Sequence, residues 1–136
     1  MRSQATFCWT SEDPDPARTL TGLIADGLAA AGFGCTEIEN LDYAYAFRTM
    51  VGRRNFFLMI GAIQDGVRHW LVSTQSELGV FAYLMGSRDH EEYRVLTGVL
   101  HDLLGSLPDL TDLRWYSLED YNERPDGNWT ETPGEP

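Results

Sequence analysis

The sequence predicts an α+β fold in which an antiparallel sheet of four to five strands packs with two main helices, in the order α-β-β-β-β-α-β. Three observations support it: two capped stretches with apolar residues at helical spacing, a central series of strand-like runs, and the turn-forming pair Asp65-Gly66 between two of those runs. With 136 residues the chain fits one domain. We assign residues 1–118 to that domain and residues 119–136 to an acidic tail that contains Pro and Gly.

The first helix is predicted over residues 16–31. Asp15 is the expected N-cap, and Pro16 follows at the first helical position, where a missing N–H costs no hydrogen bond. Gly32 supplies the stop. The apolar residues that recur on one helical face are Leu20, Leu23, Ile24, Leu28 and Ala31. The preceding residues 1–12 form either an edge strand or a loosely held arm, and the sequence leaves both open.

A series of strands follows the first helix and makes up the predicted sheet of residues 35–85. Asp65-Gly66 favours a two-residue type I′ hairpin turn, because both central positions of that turn need positive φ. The two runs on either side of this turn are therefore expected to pair as an antiparallel hairpin. The predicted strands span residues 35–49 with a break near Asn40, 55–64, 67–75 and 79–85.

A second helix is predicted over residues 90–105. Asp89 and Glu92 form a capping box at its start, and Gly105 marks its end. Its apolar stripe consists of Tyr93, Leu96, Leu100, Leu103, Leu104 and Leu107. Residues 113–118 complete the sheet as a last strand, and the tail after them is expected to be extended or partly disordered.

The charge of the chain excludes some classes of partner. Asp and Glu number 21 against 10 basic residues, which gives a formal net charge of −11, and most of the excess lies in residues 69–136. Phosphate backbones and anionic membranes repel such a surface, so we expect no nucleic-acid partner and no membrane partner. Residues 1–31 lack the features of a signal peptide, and no apolar run reaches the roughly 18 residues of a membrane span. We therefore expect a cytoplasmic protein.

Residue types that carry common chemistry are scarce or poorly spaced. All ten basic residues are arginine, which excludes mechanisms that use lysine. Cys8 and Cys35 form no C-x-x-C pair, and none of the three histidines has a partner histidine at the spacing of a zinc helix. We expect no catalytic residue, no metal site and no cofactor. The enzyme alternative stays open in one form, a pocket in which His69 or His101 meets a carboxylate and a hydroxyl or thiol.

The strand predicted over residues 55–64 is apolar on both of its faces. Phe56 and Leu58 point to one side of the sheet, whereas Phe57 and Met59 point to the other. Two helices cover roughly 20 Å, which is about the width of one face of such a sheet. The other face must then be covered by the tail, the N-terminal arm, a second copy or a partner, unless the helices divide between the faces.

These observations predict a non-enzymatic protein-binding module that works as a homodimer or as the acidic half of a complex with another protein. Aromatic residues dominate the energetics of interface centres, and acidic residues suit a charged rim that attracts a basic partner. For each aromatic, packing in the core is the competing interpretation. The predicted anchors are Tyr43, Tyr45, Phe47, Trp70, Phe81 and Tyr83, with Glu119, Asp120 and Glu123 at the rim.

The order of elements over residues 16–118 resembles the type III secretion chaperone-like fold, which includes the YbjN-like bacterial proteins. The resemblance lies in the arrangement helix, three or four antiparallel strands, helix and strand on a small acidic chain, without a sequence motif. It implies a bacterial, non-enzymatic and often dimeric protein that binds an extended partner segment along the sheet and flanking helices. An immunity protein that neutralises a basic toxin, or a small cytosolic enzyme, fits the same gross description.

Overall fold

The computed structural model describes residues 2–63, 69–77, 84, 90–123 and 127–134. Its elements are β1 (Arg2–Cys8), α1 (Pro16–Ala30), β2 (Glu39–Asn40), β3 (Tyr45–Val51), β4 (Arg54–Ala62), β5 (His69–Ser76), α2 (His90–Ser106), β6 (Thr111–Ser117) and α3 (Leu118–Glu123). The strands form one antiparallel sheet in the order β2-β3-β4-β5-β1-β6. The predicted α+β class is confirmed.

The sheet has six strands, more than the four to five predicted, because the N-terminal residues form β1. This strand lies inside the sheet between β5 and β6, so it is neither an edge strand nor a loose arm. Ala5 and Phe7 project to the side of the long helices and are buried there. Burial of these side chains and pairing on both edges hold β1 in the sheet.

α1 begins where the sequence predicts. The Asp15 carboxylate accepts a hydrogen bond of 3.3 Å from the backbone N–H of Arg18, as an N-cap does. The helix ends at Ala30, and Gly32 follows with a φ of +100°, a left-handed conformation that favours glycine. Leu20, Ile24 and Leu28 of the predicted apolar face are buried, whereas Leu23 and Ala31 are exposed and do not belong to it.

β4 and β5 form the predicted antiparallel pair in a different register. Ala62 lies opposite Trp70, whereas a two-residue turn at Asp65-Gly66 followed by regular pairing would place Ala62 opposite His69. The observed register turns Trp70 to the side of the long helices, where it is buried. A slip of one residue would turn it to the opposite face, so core burial decides the register. The turn itself, within residues 64–68, lies outside the described residues.

The first predicted strand, residues 35–49, is interrupted. Its regular parts are β2 and β3, which are separated by a turn in which Asp42 has a φ of +74°. The Asn40 side chain accepts a hydrogen bond of 2.8 Å from the backbone N–H of Asp42, so local turn chemistry displaces the strand. The predicted strand 79–85 lies outside the described residues except for Leu84, whose backbone is helical.

Both long helices pack on one face of the sheet. α1 contacts β3, β4 and α2, and α2 also contacts β3. The alternative that divides the long helices between the two faces is therefore wrong. α2 and β6 lie within two residues of the predicted helix and last strand, whereas the capping residue Asp89 lies outside the described residues. The shared core includes Leu20, Ile24 and Leu28 of α1, Leu96, Leu100 and Leu104 of α2, and Phe47, Phe56, Leu58, Ile60, Trp70, Val72 and Trp115 of the sheet.

The chain after β6 is not the extended tail that composition predicts. Leu118–Glu123 forms α3, which contacts β6 and β1. Farther along, Thr130 and Trp115 exchange two backbone hydrogen bonds of 2.8 and 2.9 Å at the outer edge of β6. Trp129 stacks on Arg114, with 4.4 Å between the guanidinium carbon and the ring centroid. Described parts of the tail thus pack against the sheet.

Candidate functional site

Within the described residues, the face of the sheet opposite α1 and α2, here called the second face, is only partly covered. It presents Phe57 and Met59 of β4 and Leu71 of β5, all of them half-buried. Between Arg48 at one side and α3 at the other lies a shallow cavity of about 260 Å³, here called the trough. The trough is lined by Tyr43, Ala44, Met59, Gly61, Ala62, Ile63, Leu71 and Tyr121.

Arg48 covers the β3 side of the second face. Its guanidinium carbon lies 5.0 Å from the centroid of the Phe57 ring. Its Nε donates to both carboxylate oxygens of Glu77, at 3.0 and 3.2 Å, and its Nη1 lies 3.6 Å from Glu39. These exposed ion pairs stabilise the fold little, but they hold the arginine over the ring. The aromatic surface of Phe57 is thereby shielded from water.

The floor of the trough is apolar and closely approached by the turn before β3. Gly61 lies opposite Leu71 in the sheet, next to Met59. A Cβ at Gly61 would stand 3.1 Å from the Cβ of Ala44 and 3.3 Å from the carbonyl oxygen of Tyr43. Glycine at this position therefore lets the turn that carries Tyr43 come down onto the sheet.

Tyr43 forms one wall of the trough and is 75% exposed. Its turn is closed by a hydrogen bond of 2.8 Å from the backbone N–H of Leu41 to the carbonyl of Ala44, and Ala44 itself is buried. The Tyr43 ring is therefore exposed to solvent, while a hydrogen bond fixes the backbone of the turn that carries it. Little backbone entropy remains to be lost when such a ring is covered by a partner.

Tyr121 forms the opposite wall and comes from α3. Its ring packs edge-on against Tyr116, with 5.8 Å between the centroids. Burial raises the pKa of the Tyr121 phenol, and Tyr116 raises it further, so the wall is uncharged at neutral pH. Tyr121 was not among the predicted anchors, because it lies in a polar segment. The available signal was the apolar pair Leu118 and Tyr121, three residues apart as on one helical face.

Tyr45, a predicted anchor, lies on the other side of the sheet. It is paired with Ile60 on the helix-facing side, and its hydroxyl donates a hydrogen bond of 2.5 Å to Oδ2 of Asp15. Asp15 therefore caps α1 with one carboxylate oxygen and binds β3 with the other. The hydrogen bond to Asp15 raises the pKa of the Tyr45 phenol, with smaller contributions from burial and from the Asp15 charge.

We expect this hydrogen bond to make stability sensitive to alkaline pH. A pKa raised in the folded state means a stabilising contribution that is complete below the ordinary phenol pKa of about 10 and is lost as the pH rises through the folded value. The Tyr45→Phe variant should therefore lose less stability than the wild type as the pH rises above about 10. Urea unfolding at a series of pH values measures this, with Tyr43→Phe as the control. Parallel curves for wild type and Tyr45→Phe would contradict it.

Two other predicted anchors are core residues. Phe47 is 0% exposed and Trp70 is 2% exposed, and both belong to the core beneath the long helices. The competing interpretation, packing in the core, is correct for both. Phe81 and Tyr83 lie outside the described residues.

The predicted acidic rim lies on α3, beside Tyr121. Glu119 and Glu123 are exposed, and Asp120 is half-buried. The backbone N–H of Asp120 donates to Ser117 Oγ at 3.1 Å, which anchors the start of the helix. The structure therefore places α3, the helix that carries these three residues, on the side of the trough opposite Tyr43, with Tyr121 as its lining residue.

No family model, curated protein or solved structure matches the chain. In the part of the chain that the structure describes, no helix has the length and apolar character needed to cross a bilayer.

A larger cleft, of about 910 Å³, lies at the β2 edge of the sheet. Its charged lining residues, Arg48 and Glu77, already bind each other. Cys35 also lines this cleft. Burial raises the pKa of its thiol, the charge of Asp26 raises that pKa further, and a hydrogen bond with Thr49 lowers it by less than burial raises it. A thiol with a raised pKa is a poor nucleophile. This cleft therefore offers volume without an available reactive group among its lining residues.

His69 and His101, the two histidines of the enzyme alternative, are both among the described residues. His101 Nδ1 accepts a hydrogen bond of 3.1 Å from Nε1 of the buried Trp115, which is a structural role. His69 is exposed and lies opposite Cys8 on β1. Within the described residues, neither histidine is hydrogen-bonded to a carboxylate, and no group of three or more His, Cys, Asp or Glu is placed to hold a metal ion.

Proposed function

We propose that the protein is a non-enzymatic protein-binding module, chaperone-like or regulatory, whose partner docks on the second face at the trough. The observation that carries the proposal is the exposure of Tyr43, whose side chain is 75% exposed and lines the apolar trough. Arg48 and α3 cover the second face on either side of this trough. Aromatic residues that fill or flank desolvated pockets dominate binding energy at interfaces. Tyr43 is the central anchor in this proposal, with Met59, Leu71 and Tyr121 as its apolar surroundings.

The proposed partner is another protein rather than a second copy of the chain. Each copy carries a formal net charge of −11. Two copies docked through the second face would bring the α3 carboxylates of both near one apolar contact, which is electrostatically unfavourable. A homodimer is therefore an outcome of the test and not part of the proposal.

The proposal places the protein in the cytoplasm. Cys8 and Cys35 are both free thiols. Free thiols that are not joined in a disulfide are typical of a reducing compartment. An extended segment of a partner, as the resemblance to the secretion chaperone-like fold implies, is the form of ligand that we expect in this compartment.

The test places a photo-reactive phenylalanine analogue at position 43 of the full chain and irradiates it in a lysate of the source cells. We expect a cross-linked species that contains a second protein, because the exposed ring lies where the partner docks. The matched control carries the same analogue at Ala30, which is exposed at the end of α1 on the opposite side of the sheet.

Three outcomes decide the proposal. A discrete adduct from position 43 and none from position 30 supports it. An adduct of twice the chain mass, together with a solution mass that rises with concentration, contradicts the choice of another protein and indicates a homodimer. A monomeric chain with equal labelling at both positions contradicts docking at the trough.

A further inference from the structure

We propose that the trough receives an arginine side chain from a basic segment of the partner protein. This inference rests on the proposed docking function and specifies the chemistry of its ligand. The volume of the trough, about 260 Å³, lies below the roughly 300–1,000 Å³ of pockets that enclose whole small molecules. A depression of this size suits one inserted side chain.

The floor and walls of the trough match the two parts of that side chain. Met59 and Leu71 provide an apolar floor for an aliphatic stem, and the flexible thioether of Met59 adapts to its shape. Tyr43 and Tyr121 provide aromatic walls that attract a cation above the ring face. The planar guanidinium of arginine stacks on aromatic rings better than an ammonium does.

The same pairing already occurs twice elsewhere in this chain. Arg48 lies 5.0 Å from the Phe57 ring centroid, immediately beside the trough on the second face. Arg114 lies 4.4 Å from the Trp129 ring centroid on β6. In both cases an arginine covers an aromatic ring near carboxylates: Glu77 next to Arg48 and Asp112 next to Arg114. The Tyr43 ring is 75% exposed, and among the described contacts no arginine covers it.

The charge around the trough favours a cation over other ligands. None of the eight lining residues is charged. Asp42 precedes Tyr43 in the turn, and α3 carries Glu119, Asp120 and Glu123 without a basic residue. A chain with a net charge of −11 repels an anionic ligand and steers a basic one to its surface.

The test compares two blocked tripeptides, leucine-arginine-leucine and leucine-citrulline-leucine, which differ in the charge of the central side chain. Each is titrated into the full chain at low salt while the methyl NMR signals of Met59 and Leu71 are followed. We expect both signals to shift, and we expect the arginine peptide to bind about fivefold more tightly than the citrulline peptide. Raising the ionic strength should reduce that ratio, because the carboxylate contribution is screened.

The Tyr43→Leu variant should reduce the arginine preference to nearly one, because it keeps an apolar side chain and removes the ring. Its fold is not at risk, since the side chain is largely exposed. The control is Trp129→Leu, which removes an aromatic ring outside the trough and should keep the preference. Circular dichroism confirms that both variants are folded.

Each failure has a distinct meaning. Equal affinities for the two peptides, or an arginine preference that survives Tyr43→Leu, overturns the arginine inference and leaves the docking surface in place. No shift at Met59 or Leu71, together with a discrete cross-link from position 43, also overturns the inference while the docking function stands. No shift and no cross-link overturns both.

Discussion

Replacing Trp70 with alanine is expected to lower the free energy of unfolding by about 3–5 kcal/mol. The side chain is 2% exposed and lies in the core under the two long helices. Its Nε1 donates a hydrogen bond of 2.9 Å to the carbonyl of Trp9, and the two rings meet edge-on with centroids 6.0 Å apart. The substitution removes the packing, leaves a cavity and leaves the Trp9 carbonyl without this donor. Urea unfolding followed by far-ultraviolet circular dichroism measures the loss.

The matched control for Trp70 is the same substitution at Trp129. Trp129 is 36% exposed and contacts Arg114 at the surface. We expect Trp129→Ala to lower the free energy of unfolding by less than about 1 kcal/mol. Similar losses for the two variants would contradict the observed register of β5, because a slip of one residue would move Trp70 out of the core.

The environment of Trp70 shows which part of the fold could be predicted from sequence and which could not. The alternation of β4 predicts its two faces correctly, since Phe56 and Leu58 are buried while Phe57 and Met59 are half-buried on the second face. Alternation alone does not say which set faces the helices. For β5 the turn pair Asp65-Gly66 suggests one register, and the packing of Trp70 under the helices requires another. Long-range burial overrides local turn preference here.

The candidate site was predictable only in part, for a similar reason. Tyr43, Tyr45 and Phe47 alternate along the sequence, so an unbroken strand would place all three on one face. Asp42, with a φ of +74°, closes a turn instead, and the strand begins only at Tyr45. Tyr45 and Phe47 therefore face the helices, while Tyr43 leaves the strand pattern and reaches the second face.

The contribution of the tail could not be predicted from its composition. The segment is polar and acidic, which favours an extended chain. A few apolar side chains are enough to bring it back, since Tyr121 packs on Tyr116 and Trp129 packs on Arg114. Both contacts join a residue of β6 to a residue that follows β6 in the chain. They form because β6 is an edge strand of the sheet, and the spacing of apolar residues does not predict which strand lies at the edge. The sequence predicted Glu119, Asp120 and Glu123 as the rim of an aromatic surface, but it did not predict the helix α3 that carries them.

The interface between α1 and α2 gives the second large effect that we expect, and it concerns Gly27. A Cβ built at Gly27 would overlap Cδ1 of Leu103 and lie 2.7 Å from its Cγ, so the helices touch where α1 has no side chain. Gly22, in the same helix, has nothing within 4 Å of its Cβ position. Gly22→Ala should raise the free energy of unfolding by about 0.5–1 kcal/mol through helix propensity. Gly27→Ala should lower it by about 1–2 kcal/mol, because overpacking outweighs the same gain in propensity.

A double-mutant cycle with Leu103→Ala isolates the contact at Gly27. In the Leu103→Ala background the obstructing atoms are gone, so Gly27→Ala should stabilise the protein as Gly22→Ala does in the wild type. Gly27→Ala is thus expected to destabilise the protein when Leu103 is present and to stabilise it when Leu103 is replaced by alanine. Helix propensity alone would predict the same sign in both backgrounds. Urea unfolding of the single and double variants provides the measurement. Stabilisation by Gly27→Ala in both backgrounds would mean that Leu103 moves aside at no cost, and the close packing of α1 on α2 would then not limit stability.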